Sequence, residues 1–312
     1  LEIFVRGVLE MSDEQEIFTL PDGSKVVAGC VAPTPAERAL VADMPVYGEE
    51  FYLEASDIEK SLKGDVYKQM RKRRQAWVLN QARLGKCNAS ATVNASHNRR
   101  DLDGLPHIVL SDCYLYMHIN RGRDQGSLLQ DGMEWAKRGL APRNLSMPGE
   151  KYVEKYTIPH DIYLKNQMPE KWYKAAQEAA TMYTSFEAYK LPVGDYRTFK
   201  IALASALARD HQVIHAWHVG NNSMRLQNGY AVQGNGVGNH ATLFHSGKWV
   251  GGDDLVHPDI ENSWGPSSNP MYGPTGSQGW GENGFGLFTM QNAFQCTKWH
   301  DFWVFVGNKV RE

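Results

Sequence analysis

Asn80-Gln81-Ala82-Arg83-Leu84-Gly85-Lys86-Cys87-Asn88-Ala89-Ser90-Ala91 is the stretch on which the fold turns. A glutamine stands six residues before a cysteine, a glycine two before it, and small residues follow. Ala89/Val93 and Ala91/Ala95 lie four apart on shared helical faces, and Arg99 and Arg100 suit a helix C-terminus. The pattern predicts a buried helix with Cys87 in its first turn, where the helix N-terminus favours the thiolate and lowers the thiol pKa. Gln81 is near enough along the chain to bring its side-chain amide beside the Cys87 backbone N–H, giving two donors for an oxyanion. The competing reading of Cys87 is a small buried side chain without chemistry.

With 312 residues and 42% hydrophobic residues, the chain can build one large domain or two modest ones around a real core. A net charge of −2 speaks against a general binder of polyanions. Cys30, Cys87, Cys113 and Cys296 are irregularly spaced, with neither a zinc pattern nor a dense disulfide framework, which fits a reducing compartment. No metal or cofactor is expected. Neither an apolar run of transmembrane length nor a basic-then-apolar leader is evident, so no membrane partner is expected. A cytoplasmic or virion-associated location is expected ahead of the eukaryotic secretory route. Asn88-Ala89-Ser90 is a glycosylation sequon against the candidate nucleophile; either the protein avoids that route or the helix hides the site.

Residues 1–64 read as an extension. Glu16–Leu20 and Lys25–Ala28 flank a Pro21-Asp22-Gly23 turn and predict a β-hairpin, followed by an irregular stretch with a short helix over 36–41. An inhibitory pro-segment, a docking arm, or a strand and loop packed on the main domain all fit. The basic run Lys68–Arg74 reads as a solvated face, since no aromatic residues interleave it for base stacking, and no nucleic acid is expected. Residues 65–192 are mainly helical, with helices opening near Leu110, over 128–138 and over 169–180. From 193 onward, after a helix over 196–209 capped by Asp195, the pattern turns to short strands. These are 213–219, 241–245, 249–250, 285–290 and 302–306.

That β-rich half carries partners for the cysteine. Asn239-His240-Ala241 opens an apolar strand, and Glu261-Asn262-Ser263-Trp264-Gly265 puts an asparagine at a strand end beside a tryptophan. A Cys–His pair makes a thiolate–imidazolium nucleophile, and an asparagine amide oxygen accepting from the second ring nitrogen orients the imidazole. Trp264 is placed to keep water from that hydrogen bond. Taken singly, His240 reads as an ordinary histidine and Asn262 as a turn residue.

Together with Trp280-Gly281-Glu282-Asn283-Gly284, these blocks stand in the order found in papain-family cysteine peptidases, which the sequence resembles over residues 65–312. His240 follows Cys87 by 153 residues, close to the family interval. Plant and lysosomal members carry Trp after the nucleophile and a disulfide cysteine three residues before it; here those positions are Asn88 and Leu84. Leu84-Gly85-x-Cys87-x-Ala89 and Asp124-x-Gly126-Ser127 resemble the bacterial and viral branch instead.

The resemblance implies an α+β, two-domain fold. A helical domain, 65–192, would carry the nucleophile, and a β-barrel-like domain, 193–312, His240 and Asn262, with the cleft between them. Cys87 would be the nucleophile, His240 the general acid/base and Asn262 its orienting partner. Gln81 would complete the oxyanion hole, and Gly126, Asn239 and Trp264 would line the substrate cleft. The implied activity is endopeptidase hydrolysis of peptides or proteins through a thioester. Lys86, where the family has a small residue, would either favour the thiolate or narrow the cleft. The segment Pro266–Gly279 is longer than the usual link and reads as a lid, a partner-binding feature or idle surface. The short, hairpin-like extension differs from the long helical pro-segments of lysosomal members. Two other functions remain in play: a papain-fold component of a larger, viral or other, assembly docked through residues 1–64 or 266–279, and a relative acting on peptidoglycan or isopeptide bonds.

Overall fold

The helix expected around the cysteine forms as Cys87–Leu102, and the remaining elements pack around it. The computed structural model describes residues 17–75, 78–81, 84–106, 108–120, 124–143, 170–183, 186–234, 238–265 and 279–308. In chain order these contain β1 (Ile17–Thr19), β2 (Lys25–Val27), α1 (Pro35–Leu40), α2 (Ala55–Leu62), α3 (Val66–Arg74), α4 (Cys87–Leu102), α5 (Asp112–Ile119), α6 (Leu129–Ala136) and α7 (Glu170–Tyr183). Then follow β3 (Phe186–Lys190), α8 (Tyr196–Ala208), β4 (Gln212–Val219), β5 (Gly238–Gly251), β6 (Leu255–Glu261), β7 (Phe285–Leu287), α9 (Met290–Cys296) and β8 (Trp303–Asn308).

α4 is buried on nearly every face, which its small side chains permit. Several of its polar groups find partners, although both amide atoms of Asn94 are buried without one. Asn88 Nδ2 donates to Ser127 Oγ (3.0 Å) and Leu128 O (2.7 Å), Ser90 Oγ to Asp112, and Asn98 Nδ2 to Gln212 and Glu261. The complete burial of Asn88 hides its sequon, the second of the two alternatives.

On one side of α4 lie α5 and α6; on the other lies a six-stranded antiparallel sheet in the order β3-β8-β4-β5-β6-β7. Both faces of this sheet are covered. On β4, Ile214 and Ala216 join the cluster around α4, while Val213, Trp217 and Val219 face a second core shared with α8. β8 divides the same way, Trp303 and Phe305 against Val304 and, one residue before the strand, Phe302. The period-2 alternation therefore separates two apolar cores rather than core from solvent. The architecture is α+β, as expected.

Several boundaries differ from the sequence reading. The two strands over 241–250 are one strand, β5, carrying two register shifts against β6. The strand expected over 285–290 stops at Leu287, because Thr289 Oγ1 accepts from Asn292 N (3.1 Å) and caps α9. β6 escaped notice because Pro258 and acidic residues interrupt its apolar pattern. α2 and α3 also form where no helix was expected.

The basic run is not a solvated face. On α3, Arg71 forks onto Asp259 (2.6 and 2.8 Å) and also meets Glu282; Arg74 pairs with Asp101 (2.8 Å) and Glu261 (3.4 Å). Asp259 and Glu261 lie on β6, so a tertiary partner chose these two arginines while Lys72 and Arg73 stay exposed. Arg71→Ala leaves the fully buried Asp259 with only His245 beside it (3.0 Å) and is expected to cost about 3–5 kcal/mol. Lys72→Ala is expected within about 0.5 kcal/mol of wild type. Denaturant titration checks both, and equal shifts would contradict the ion-pair account.

The extension is largely part of the β half. Phe18, Leu20 and Val26 share a core with Trp264 and Trp280, and Ile58 and Leu62 of α2 pack towards α8 and β5. The hairpin turn forms as expected: Gly23, at φ 81°, donates to Leu20 O (2.9 Å), and Asp22 Oδ1 accepts from Ser24 N (2.9 Å). No helix among the described residues is long and apolar enough to cross a membrane.

Candidate active site

Cys87 opens α4 beneath β5. Its Sγ accepts from Ala241 N at 3.4 Å, one residue beyond His240. β4 fixes that height, since Trp217 pairs with His240 and Ala216 with Ala241. His240 Nε2 lies 2.8 Å from Asn262 Oδ1, and the Trp264 ring stacks on the imidazole with centroids 3.9 Å apart at 15°. His240 Nδ1 is buried without a hydrogen-bond partner. The asparagine therefore holds one ring nitrogen and leaves the other available.

Gln81 is tied to the same loop as Asn262. Asn80 forms an antiparallel bridge with Trp264, Gln81 N donates to Ser263 O (2.8 Å), and Ser263 Oγ donates to Gln81 Oε1 (2.5 Å). With its oxygen engaged, the amide presents Nε2 as a donor. Trp280 locks this corner by donating Nε1 to Ser223 O (2.8 Å) and N to Trp264 O (3.1 Å).

The facing wall is Asp124–Ser127. Asp124 Oδ1 accepts from Gly85 N (2.8 Å) and Tyr116 Oη (2.7 Å), joining the wall to the loop before the nucleophile. This link was not anticipated, although Asp124 belongs to a motif already singled out. Lys86 neither faces the thiol nor narrows the cleft. Its ammonium is fully buried, 2.6 Å from Asp112 Oδ2 and 3.4 Å from Cys113 Sγ, and anchors the start of α4. Burial pushes the Asp112 carboxyl up, but Lys86 and Arg143 outweigh it and hold it down at about 2. Among the described residues, no group of three or more His, Cys, Asp or Glu could hold a metal ion. The 266–279 loop lies outside the described residues apart from Gly279.

No protein-family model matches the sequence, and no curated protein does. Solved structures do match. Xylellain, a cysteine protease from Xylella fastidiosa, superposes with TM-score 0.55 at 19% identity, over 97% of this chain and 100% of that one. The Amb a 11 cysteine protease, a major ragweed pollen allergen, in its proform gives 0.54 at 16% identity, over 87% and 74%. A recombinant stem bromelain precursor gives 0.53 at 15% identity, over 90% and 83%. The fold is that of the papain-like cysteine proteases. At these identities the likeness extends to the fold.

In this chain the cleft is crossed by its own extension. Cys30 N donates to Asn239 O (2.9 Å), Val31 N to Ser127 O (3.0 Å), and Ser127 N to Gly29 O (3.0 Å). Residues 29–31 thus bond to both walls. Gln81 Nε2, the expected oxyanion donor, gives its hydrogens to Val27 O (3.0 Å) and Leu84 O (2.9 Å). The Gly29 amide of the strap is directed at Cys87 Sγ. Gly126 is required where it stands: φ is 79°, and a Cβ there would lie 1.9 Å from Gly29 O. All seven candidate residues surround this one cleft.

Closure reverses the electrostatic expectation for Cys87. Burial pushes its thiol up to about 11, although the amides of Ala241, Gly29 and Asn88 pull it down. The helix N-terminus acts as expected but loses to desolvation under the strap. Burial likewise pushes the His240 imidazole down to about 3 against the Asn262 bond. It does the same to His300, beside His218 and Arg38, also to about 3. In the closed form the thiol and imidazole are both neutral.

Stability should follow. An unfolded histidine takes up its proton near pH 6.5, whereas folded His240 and His300 do so only near 3. Between those limits the unfolded state binds more protons, so stability falls with acidification by about 1.4 kcal/mol per unit for each histidine. Denaturation midpoints should change little from pH 8 to 7 and drop steeply below about 6.5. A constant midpoint between pH 7 and 5 would contradict this.

Proposed function

We propose that the protein is a papain-like cysteine endopeptidase held in a closed form, with Cys87 as nucleophile, His240 as acid/base and Asn262 as orienting residue. The observation that carries this reading is the His240 ring. Asn262 holds Nε2 at 2.8 Å under Trp264 while Nδ1 stays free beside the strand that reaches Cys87 Sγ. We read the Leu84-Gly85-x-Cys87-x-Ala89 pattern as that of the bacterial and viral branch.

With the cleft open, water and substrate replace the strap and the thiol proton passes to His240 Nδ1. The thiolate attacks a peptide carbonyl, and its oxygen takes donors from the Cys87 amide and from Gln81 Nε2, which turns from Val27 O to meet it. The imidazolium protonates the leaving amine and a thioester remains. Water, losing its proton to His240, then releases the acid and restores the thiol. The substrate backbone would use Ser127 and Asn239, the groups that the strap now engages.

The test is hydrolysis of a fluorogenic peptide library by the opened protein, with the Cys87→Ala variant as control. Turnover lost in that variant is expected. An opened protein with a reactive Cys87 that cleaves no peptide would favour the second reading, a papain-fold assembly component, which the complete closure of the site also fits.

A further inference from the structure

We propose that the strap is retained: residues 28–44 lift out of the cleft while the chain on either side stays built into the β half, so that the site opens without loss of the extension. What the opened site then does rests on the peptidase reading; the opening itself does not.

The strap lies between two firm anchors. Before it, the β1–β2 hairpin inserts Phe18, Leu20 and Val26, all 2–3% exposed, into the core that holds Trp264 and Trp280. After it, Tyr47 is fully buried, stacked on Phe51 with centroids 4.6 Å apart and bonded through its hydroxyl to His211 Nδ1 (3.0 Å). Tyr47 N donates to Lys190 O (2.9 Å) and Lys190 N to Pro45 O (2.8 Å), which ties residues 45–47 to the end of β3, and Ile58 and Leu62 follow into the same core.

The segment between is held differently. α1 has no buried residue; Arg38 Nη2 reaches Lys298 O at 3.2 Å, Thr34 and Glu37 cap the helix from within, and on either side of it Cys30 and Val41, each 7% exposed, join the cluster around α4. Residues 29–31 are held by three backbone bonds to the cleft walls. Those bonds have ready replacements in water or substrate, and the strap's two buried apolar side chains, Cys30 and Val41, give up less on lifting than Phe18, Leu20, Val26, Tyr47, Ile58 and Leu62 of the anchors would. The stretch from Val27 to Tyr47 can span roughly 65 Å when extended, so it can swing aside without being cut.

Fit at one residue keeps it down. A Cβ on Gly29 would lie 2.2 Å from Gly85 O and 2.3 Å from Gly85 Cα, backbone that cannot yield without moving the nucleophile loop. Any larger side chain at 29 therefore expels the strap while leaving Cys87, His240, Asn262 and Gln81 unchanged.

Gly29→Val in the full chain tests this. Brief iodoacetamide treatment followed by mass spectrometry should show Cys87 modified about 100-fold faster than in wild type, as expected for a locally opened segment. Hydrogen exchange over 17–27 and 47–62 should stay protected. A folded variant whose Cys87 remains unreactive overturns the proposal, as does loss of protection in the flanks when the thiol opens. If Gly29→Val does not fold, a site-specific protease sequence placed over the partly exposed residues Ala32–Thr34 and cut in the full chain decides. Co-elution of the N-terminal fragment with a reactive Cys87 supports retention; release of that fragment, or an unreactive Cys87, overturns it. A retained, reactive form that hydrolyses no peptide overturns the peptidase reading alone.

Discussion

Deleting residues 1–64 yields a chain without a cooperative thermal transition. The deletion strips Phe18, Leu20, Val26, Tyr47, Ile58 and Leu62 from the core, each 3% exposed or less. Burying side chains of this kind contributes about 1.5–3 kcal/mol each, so about 9–18 kcal/mol is lost, an upper figure because unfolded chains already bury some surface. A domain's whole stability is about 5–15 kcal/mol. The loss also thins the core that holds Trp264, whose ring stacks on His240. Circular dichroism melts check it. A truncated chain melting within a few degrees of the full chain would show that the extension is a removable appendage.

In the opened protein, Cys87→Ala is expected to lower peptide hydrolysis by about 10⁵-fold or more, the scale seen when a nucleophile is removed from a coupled site. His240→Ala should cost about as much, because the thiol then has no base and the leaving amine no acid. Asn262→Ala should cost less than the ~10⁴-fold that a charged orienting carboxylate supplies, since a neutral amide orients the ring without stabilising its charge. The readout is kcat with the fastest peptide of a library. Residual turnover within tenfold of the parent in Cys87→Ala would remove Cys87 from the nucleophile's role.

The helix around Cys87, the Pro21-Asp22-Gly23 turn, the Asp195 cap and the Asn262-Ser263-Trp264-Gly265 corner were all readable in advance. Each is set by interactions within a few residues: shared helical faces, a left-handed glycine, a carboxylate facing amides three residues ahead. Cys87, His240 and Asn262 could be singled out from the blocks around them, and the fold brings these to one place: Asn262 holds His240, and the next residue, Ala241, donates to Cys87 Sγ.

Other features depended on partners that lie far apart in the chain. β6 is held as a strand by β5 and β7 despite Pro258, and Arg71 and Arg74 were drawn into the interior by acids roughly two hundred residues away. Above all, the raised thiol pKa of Cys87 follows from its complete burial, in a site that residues 29–31 cross. Helix, turn and cap are short-range matters that neighbouring residues settle among themselves. Burial depends on which distant segment covers a group, and here it outweighs the helix N-terminus and keeps the thiol neutral.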